Sequence, residues 1–182
     1  MTILTTIDPA TAEPKAKTLL DGIQKKLGAT PNMMKVLANS PPVLGAYLGF
    51  VGALGNGSLG AKLNEQIALA VAEANGCNYC LAAHTMLGKG AGLGLADILA
   101  ARSGTASDAR AAAALAFARK LVAQHGRVTA TDIAQARAAS LTDGDIVEIV
   151  AAVAINVFTN YVNLAADTDV DFPPVTPLAK AS

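Results

Sequence analysis

Alanine fills 39 of the 182 positions, and that bias decides most of what this chain can fold into. Alanine loses no side-chain entropy in a helix, and the alternating Val, Ile and Thr runs that mark strands are absent. The chain therefore reads as all-α, and 182 residues suit one domain of ordinary size or at most two small ones. A first amphipathic helix is expected over Pro14–Leu27, with Leu19, Leu20, Ile23 and Leu27 on one face and Gly28 as its stop. A short helix follows over 32–38, then an apolar segment over 42–54. The next helices are expected over Gly60–Asn75, burying Leu63, Ile67, Ala70, Val71 and Ala74, and over 78–89. The second half offers 94–102, then 109–124 behind Ser107 as N-cap. Thr129 with Asp132, and Thr142 with Asp145, form capping-box pairs for 130–139 and for a long last helix reaching Ala166. The tail, DTDVDFPPVTPLAKAS, is Pro-rich and extended, either packed over a neighbour or loose.

Fourteen basic and fourteen acidic side chains cancel, and no run of five like charges occurs. That argues against nucleic acid and against an anionic membrane surface as partners, since counterion release needs clustered Lys and Arg. Only 15% of residues are charged, below the usual share of about 25%. Part of the surface is therefore expected to be covered by other copies of the chain. The start, MTILTTIDPATAEPK, lacks the basic and apolar regions of a signal peptide, so the expected location is cytoplasmic. Residues 149–166 are uncharged and approach membrane-span length. Asn156, Thr159, Asn160 and Asn163 within them are costly in lipid, so no membrane span is expected.

The two cysteines lie together in Cys77-Asn78-Tyr79-Cys80, and one of the two histidines, His84, is four residues on. If a helix begins near residue 77, positions 77, 80 and 84 share one face. Cysteines three apart can close a disulfide, and a helix N-terminus stabilises a thiolate. An imidazole can take the thiol proton, and Glu65 on the preceding helix can orient that imidazole. The pattern suits a dithiol that reduces a substrate and closes to a disulfide. Two other readings stay open. The cysteines can be ordinary core residues, or Cys77, Cys80, His84 and Glu65 can hold zinc. A c-type haem site is excluded because Leu81, not His, follows Cys80. A thioredoxin fold lacks its βαβ surroundings here.

Other features read as structural. Gly88-Lys-Gly-Ala-Gly-Leu-Gly94 follows a helix rather than a strand, so it reads as a helix stop and turn, not a phosphate loop. His125 reads as a helix-end residue, and Tyr47 and Phe50 as core or interface. Glu73 is placed either toward the thiol pocket or in solvent. Asn156, Asn160 and Asn163 either line that pocket or bond between helices. There is also a weak internal repeat: Glu65-Gln-Ile-Ala beside Glu148-Ile-Val-Ala puts Asn160 and Asn163 opposite Cys77 and Cys80.

Glu65, eleven residues, then Cys77-x-x-Cys80-x-x-x-His84 resembles the alkylhydroperoxidase D-like core of the carboxymuconolactone decarboxylase superfamily. EQIALAVAEANGCNYCLAAHT and IVEIVAAVAINVFTNYVNLAADTDVDFP are similar to its peroxidase-related branch. The resemblance covers about residues 15–172 and implies a single all-helical domain over 1–182 that assembles into trimers or hexamers and reduces hydroperoxides, with an antioxidant role. It implies Cys80 as the attacking thiol, Cys77 as the resolving thiol, and Glu65 and His84 as a proton relay. It also implies no bound cofactor: an external dithiol resets the pair. Helix-end physics alone would favour Cys77 as the more acidic thiol. Tyr79 stands where the best-known members carry a second His. It can pass a hydrogen bond, but an ordinary pKa of about 10 makes it a poor base at neutral pH. The alternatives are a redox-sensing or zinc-binding oligomer, or a lyase on the same fold with idle cysteines.

Overall fold

A computed structural model describes residues 2–178, and among them it has nine α-helices and no strand. They are α1 (Pro14–Leu27), α2 (Asn32–Leu37), α3 (Pro41–Leu54), α4 (Gly60–Asn75), α5 (Asn78–Gly90), α6 (Leu95–Arg102), α7 (Ala109–Ala123), α8 (Ala130–Ala138) and α9 (Asp143–Ala166). The local signals explain most boundaries. Prolines open α1 and α3, and left-handed Gly28 and Gly76 close α1 and α4. The capping boxes at Thr129/Asp132 and Thr142/Asp145 are both formed. The glycine-rich stretch is the end of α5 and the turn into α6, as a helix stop requires.

α4 is the central helix, packed against α5, α6, α7 and α9. Its sequence predicts one apolar face; instead Gln66 through Ala72 are all buried, and Ala74 is exposed. Neighbours on several sides use up the whole circumference, which a periodicity argument does not foresee. On one side Leu63, Ile67, Leu69 and Val71 join α6, α7 and α9 in the larger core. On the other, α1, α2, α3 and α5 enclose a second core that contains Cys77, Tyr79 and Cys80. α1 contributes Ala16, Leu20 and Ile23 to it, while Leu27, expected on the same face, is exposed at the helix end.

Three expectations change. The N-cap of α7 is Asp108, not Ser107: its Oδ1 accepts the Ala111 N–H at 2.8 Å, and a cap must stand three residues before the amide it takes. The two stretches of the sequence repeat fold differently. The first is two helices broken at Gly76, whereas α9 runs unbroken through the matching Thr159. The tail, finally, lies on its own chain. Asp171 accepts the Asn32 N–H, Arg102 donates to the Thr176 carbonyl, and the Leu178 N–H donates to Glu73. Residues 179–182 lie outside the described part.

α9 is long and apolar enough to cross a membrane, but it is a core helix whose Asn156, Thr159, Asn160 and Asn163 point into the protein. Its first turn is anchored by Asp145. That buried carboxylate accepts bonds from Ser58 Oγ (2.6 Å), Arg110 (2.9 Å) and the Thr142 N–H and hydroxyl (2.8 Å each). The Ser58 bond, then the Thr142 N–H, hold its pKa well below the usual carboxylate range. A depressed folded pKa stabilises the fold above the unfolded carboxyl pKa of about 4, and that stability is lost as pH falls further. Asp145→Ala is expected to cost about 2 kcal/mol near neutral pH. The difference from the parent should shrink in thermal melts taken at successively lower pH below about 4. A gap that stays constant into acid would contradict this role.

Candidate active site

The site is built on the turn between α4 and α5. Gly76 takes φ +66°, its N–H bonds the Glu73 carbonyl, and the Cys77 N–H reaches back to the Ala72 carbonyl at 3.0 Å. This is a Schellman closure, and it turns the chain back along α4. Cys77 is then the N-cap of α5, and its Sγ accepts the Cys80 N–H at 3.2 Å. The Cα atoms of Cys77 and Cys80 are 5.3 Å apart and their sulfurs form a disulfide. Both residues are almost fully buried.

One turn beyond Cys80, His84 Nδ1 lies 2.8 Å from Glu65 Oε2 of α4. Each of these side chains is about one-fifth exposed, so the pair stands at the edge of the core. Gly88 of α5 lies against this part of α4 and against Leu93. A Cβ there would lie 3.1 Å from a methyl of Leu93 and 3.8 Å from the Glu65 Cβ. The fold thus joins all four residues expected from spacing: Cys77 to Cys80, and His84 to Glu65. The disulfide can store two electrons, and the His–Glu pair can accept or deliver a proton. As a disulfide the sulfurs are not thiolates. Among the described residues no three His, Cys, Asp or Glu side chains are placed to share a metal ion.

Tyr79, buried between the cysteines, is held on its other side. Its hydroxyl accepts the Met33 N–H at 3.1 Å near the Asp171 carboxylate of the tail, and Phe172 packs edge-on at 5.4 Å. Burial pushes its pKa well above the ordinary phenol value; the Met33 N–H opposes the shift and the Asp171 charge reinforces it. Glu73 is held away from the site and is only partly exposed: its carboxylate meets buried Arg102 at 2.7 Å and the tail at Leu178. His125 is exposed in a left-handed conformation at the end of α7.

Two further residues reach the site. Tyr47 of α3 lies beside Glu65; burial and then that charge push its phenol up to about 12. Asn163 of α9 donates from Nδ2 to Cys80 Sγ at 3.4 Å and to Met33 Sδ at 3.1 Å. Its place in the polar row of an apolar helix was visible in sequence, but its partner was not. Asn160 instead accepts from Asn75 at 2.8 Å, and Asn156 bonds back to the Ala152 carbonyl.

Residues 41–124, which hold Glu65, both cysteines and His84, match the carboxymuconolactone decarboxylase family. The fold is similar to the AhpD core of an uncharacterized peroxidase-related protein from Ralstonia eutropha JMP134, with TM-score 0.84 and 22% identity over 93% of this chain and 92% of that one. A peroxidase-related protein from Silicibacter sp. TM1040 gives TM-score 0.78 and 26% identity over 94% and 92%. The debrominase Bmp8, as a cysteine-to-alanine variant in complex with 2,3,4-tribromopyrrole, gives TM-score 0.79 and 22% identity over 94% and 92%. No curated protein sequence matches the chain. The family match and the shared fold bear out the resemblance read from the sequence.

The bond on the Tyr79 hydroxyl gives a direct expectation. Tyr79→Phe should cost about 1 kcal/mol by stripping a partner from the Met33 N–H. It should leave the alkylation rate of the reduced thiols unchanged. A large loss of thiol reactivity in a variant of parental stability would place this hydroxyl in the chemistry.

Proposed function

We propose, for a chain that carries a carboxymuconolactone decarboxylase family match at residues 41–124 within an AhpD-like fold, that it is a thiol-dependent hydroperoxide reductase. The observation that carries this reading is the Cys77–Cys80 disulfide at the head of α5, one turn from a His84–Glu65 pair at 2.8 Å. A buried dithiol with an adjoining acid–base pair is what two-electron reduction of an O–O bond requires.

In the proposed cycle the Cys80 thiolate attacks the terminal oxygen of ROOH. The S–O bond forms, the O–O bond breaks, and RO⁻ leaves as ROH with a proton supplied through His84, which Glu65 orients. Cys80 is now a sulfenic acid. The Cys77 sulfur attacks it, the disulfide closes and water leaves. An external dithiol then reduces the disulfide by exchange, and no bound cofactor is needed. The assignment of attack to Cys80 and of resolution to Cys77 follows the family; the cap position of Cys77, whose sulfur accepts the Cys80 N–H, by itself favours the Cys77 thiolate.

The likeness to a debrominase supports a second reading. The same pair of thiols can reduce a carbon–bromine bond: their two electrons and one of their two protons convert C–Br to C–H, bromide leaves with the other proton, and the disulfide closes. We also propose that the chain forms homo-oligomers. Val43, Phe50 and Val51 on α3, Leu95 and Leu99 on α6, and Val147, Val150, Tyr161 and Leu164 on α9 are exposed. So much apolar surface on so few charges suits assembly, and a clean monomer in light scattering would contradict it.

Steady-state peroxide consumption with excess dithiol tests the main reading. Cys80→Ser is expected to abolish turnover, and Cys77→Ser to leave a sulfenic acid that a dimedone-type reagent traps at Cys80. Equal residual activity in the two variants would overturn the roles. Release of bromide from a bromopyrrole without peroxide turnover would favour the second reading.

A further inference from the structure

Beyond Asp145 in its first turn, α9 turns one row of polar residues inward, Asn156, Thr159, Asn160 and Asn163. Asn163 differs from the others in what it touches. Its Nδ2 donates to the sulfur of Cys80, at 3.4 Å, and to Met33 Sδ. Its Oδ1 is buried with no hydrogen-bond partner, and the residue is only 4% exposed. An unpaired buried acceptor is an expensive feature and asks what it is kept for. Asn160 Nδ2, Thr85 Oγ1 and Thr168 Oγ1 are unpaired too, so an unpaired atom alone says little. At Asn163 alone the unpaired oxygen and a donor to a redox-active sulfur belong to one amide group.

We propose that Asn163 is a third polar group of the thiol site: its Nδ2–H stabilises the Cys80 thiolate, and its Oδ1 accepts the O–H of the incoming hydroperoxide. The second half rests on the peroxidase reading. The two bonds fit one reaction step. The peroxide donates its O–H to Oδ1, which sets the terminal oxygen beside the sulfur. The thiolate attacks that oxygen, the O–O bond breaks, and RO⁻ departs with a proton from His84. The hydrogen stays on the transferred oxygen, so the sulfenic acid keeps the same bond to Oδ1. Asn163 lies outside the stretch that matches the family, residues 41–124, so the match itself does not point to it.

The titratable groups of the site and of the elements packed on it, Cys77, Tyr79, His84, Glu65, Tyr47 and Asp171, are unchanged in the variants below. Reduced Asn163→Leu and Asn163→Asp are compared with the parent, with circular dichroism and thermal melts as fold controls. Methyl methanethiosulfonate has no O–H or N–H to donate, so its rate at Cys80, mapped by peptide, reads the thiolate alone. Cumene hydroperoxide reads both contacts. Asn163→Leu should slow the thiosulfonate reaction at Cys80 about tenfold or more at neutral pH. It should move that reaction's midpoint to higher pH while Cys77 stays put, and should slow the peroxide reaction by a larger factor. Asn163→Asp loses the donor but keeps an acceptor of the same shape, so both reactions should slow by one common factor. It also carries the test if the leucine variant does not fold. Unchanged Cys80 rates and midpoint in a folded variant would overturn the proposal. A shifted thiosulfonate midpoint in a protein that never consumes peroxide would instead uphold the donor contact and sink the peroxidase reading.

Discussion

The left-handed turn at Gly76 is the constraint from which the chemistry of this chain follows. Glu65 and His84 are 19 residues apart. In one continuous helix that separation would be about 28 Å. Breaking the helix at Gly76 folds α5 back along α4 and brings the two side chains to 2.8 Å. The same break leaves Cys77 as a helix cap, with its sulfur on the Cys80 N–H and within bonding distance of the Cys80 sulfur. A side chain at position 76 would have to adopt a backbone conformation that L-residues disfavour, so the glycine and the site come together.

α9 shows what the absence of that turn does. Its sequence parallels α4 and α5, yet Thr159 stands where the first stretch has Gly76, and the helix runs straight through. The positions that match the cysteines are then asparagines facing inward. Asn163 meets Cys80, the residue it matches in the sequence repeat, while Asn160 bonds Asn75 at the end of α4. Glu148, the counterpart of Glu65, bonds the N–H groups of Ser58 and Leu59 at the start of α4. One stretch supplies redox groups; the other supplies neutral hydrogen bonds and holds the scaffold.

What could be read from the sequence and what could not divides along a physical line. Helix ends were legible because their signals are local: proline at the start of α1, glycine at its end, a threonine and an aspartate three apart at α8 and α9. The Glu/CxxC/His set was legible because spacing along two adjacent helices already places it on facing sides. Contacts between distant segments were not legible. The polar row of α9 offered Asn163 to the thiol pocket or to a neighbouring helix without deciding between them, and nothing near Glu73 announces Arg102 and Leu178. The seat of the tail on Tyr79 depends on Asp171 and Phe172 meeting α2 and α5 in space. Leu27 kept the right period and missed the core because α1 outruns its neighbours.

The most direct test of the account is a single turnover. Fully reduced protein is mixed with one equivalent of an alkyl hydroperoxide, quenched with acid, and examined by intact mass and peptide mapping. The account predicts one alcohol formed per chain, a loss of two hydrogens from the protein, and a bond between Cys77 and Cys80. Free thiols on both cysteines beside unconsumed peroxide would contradict it.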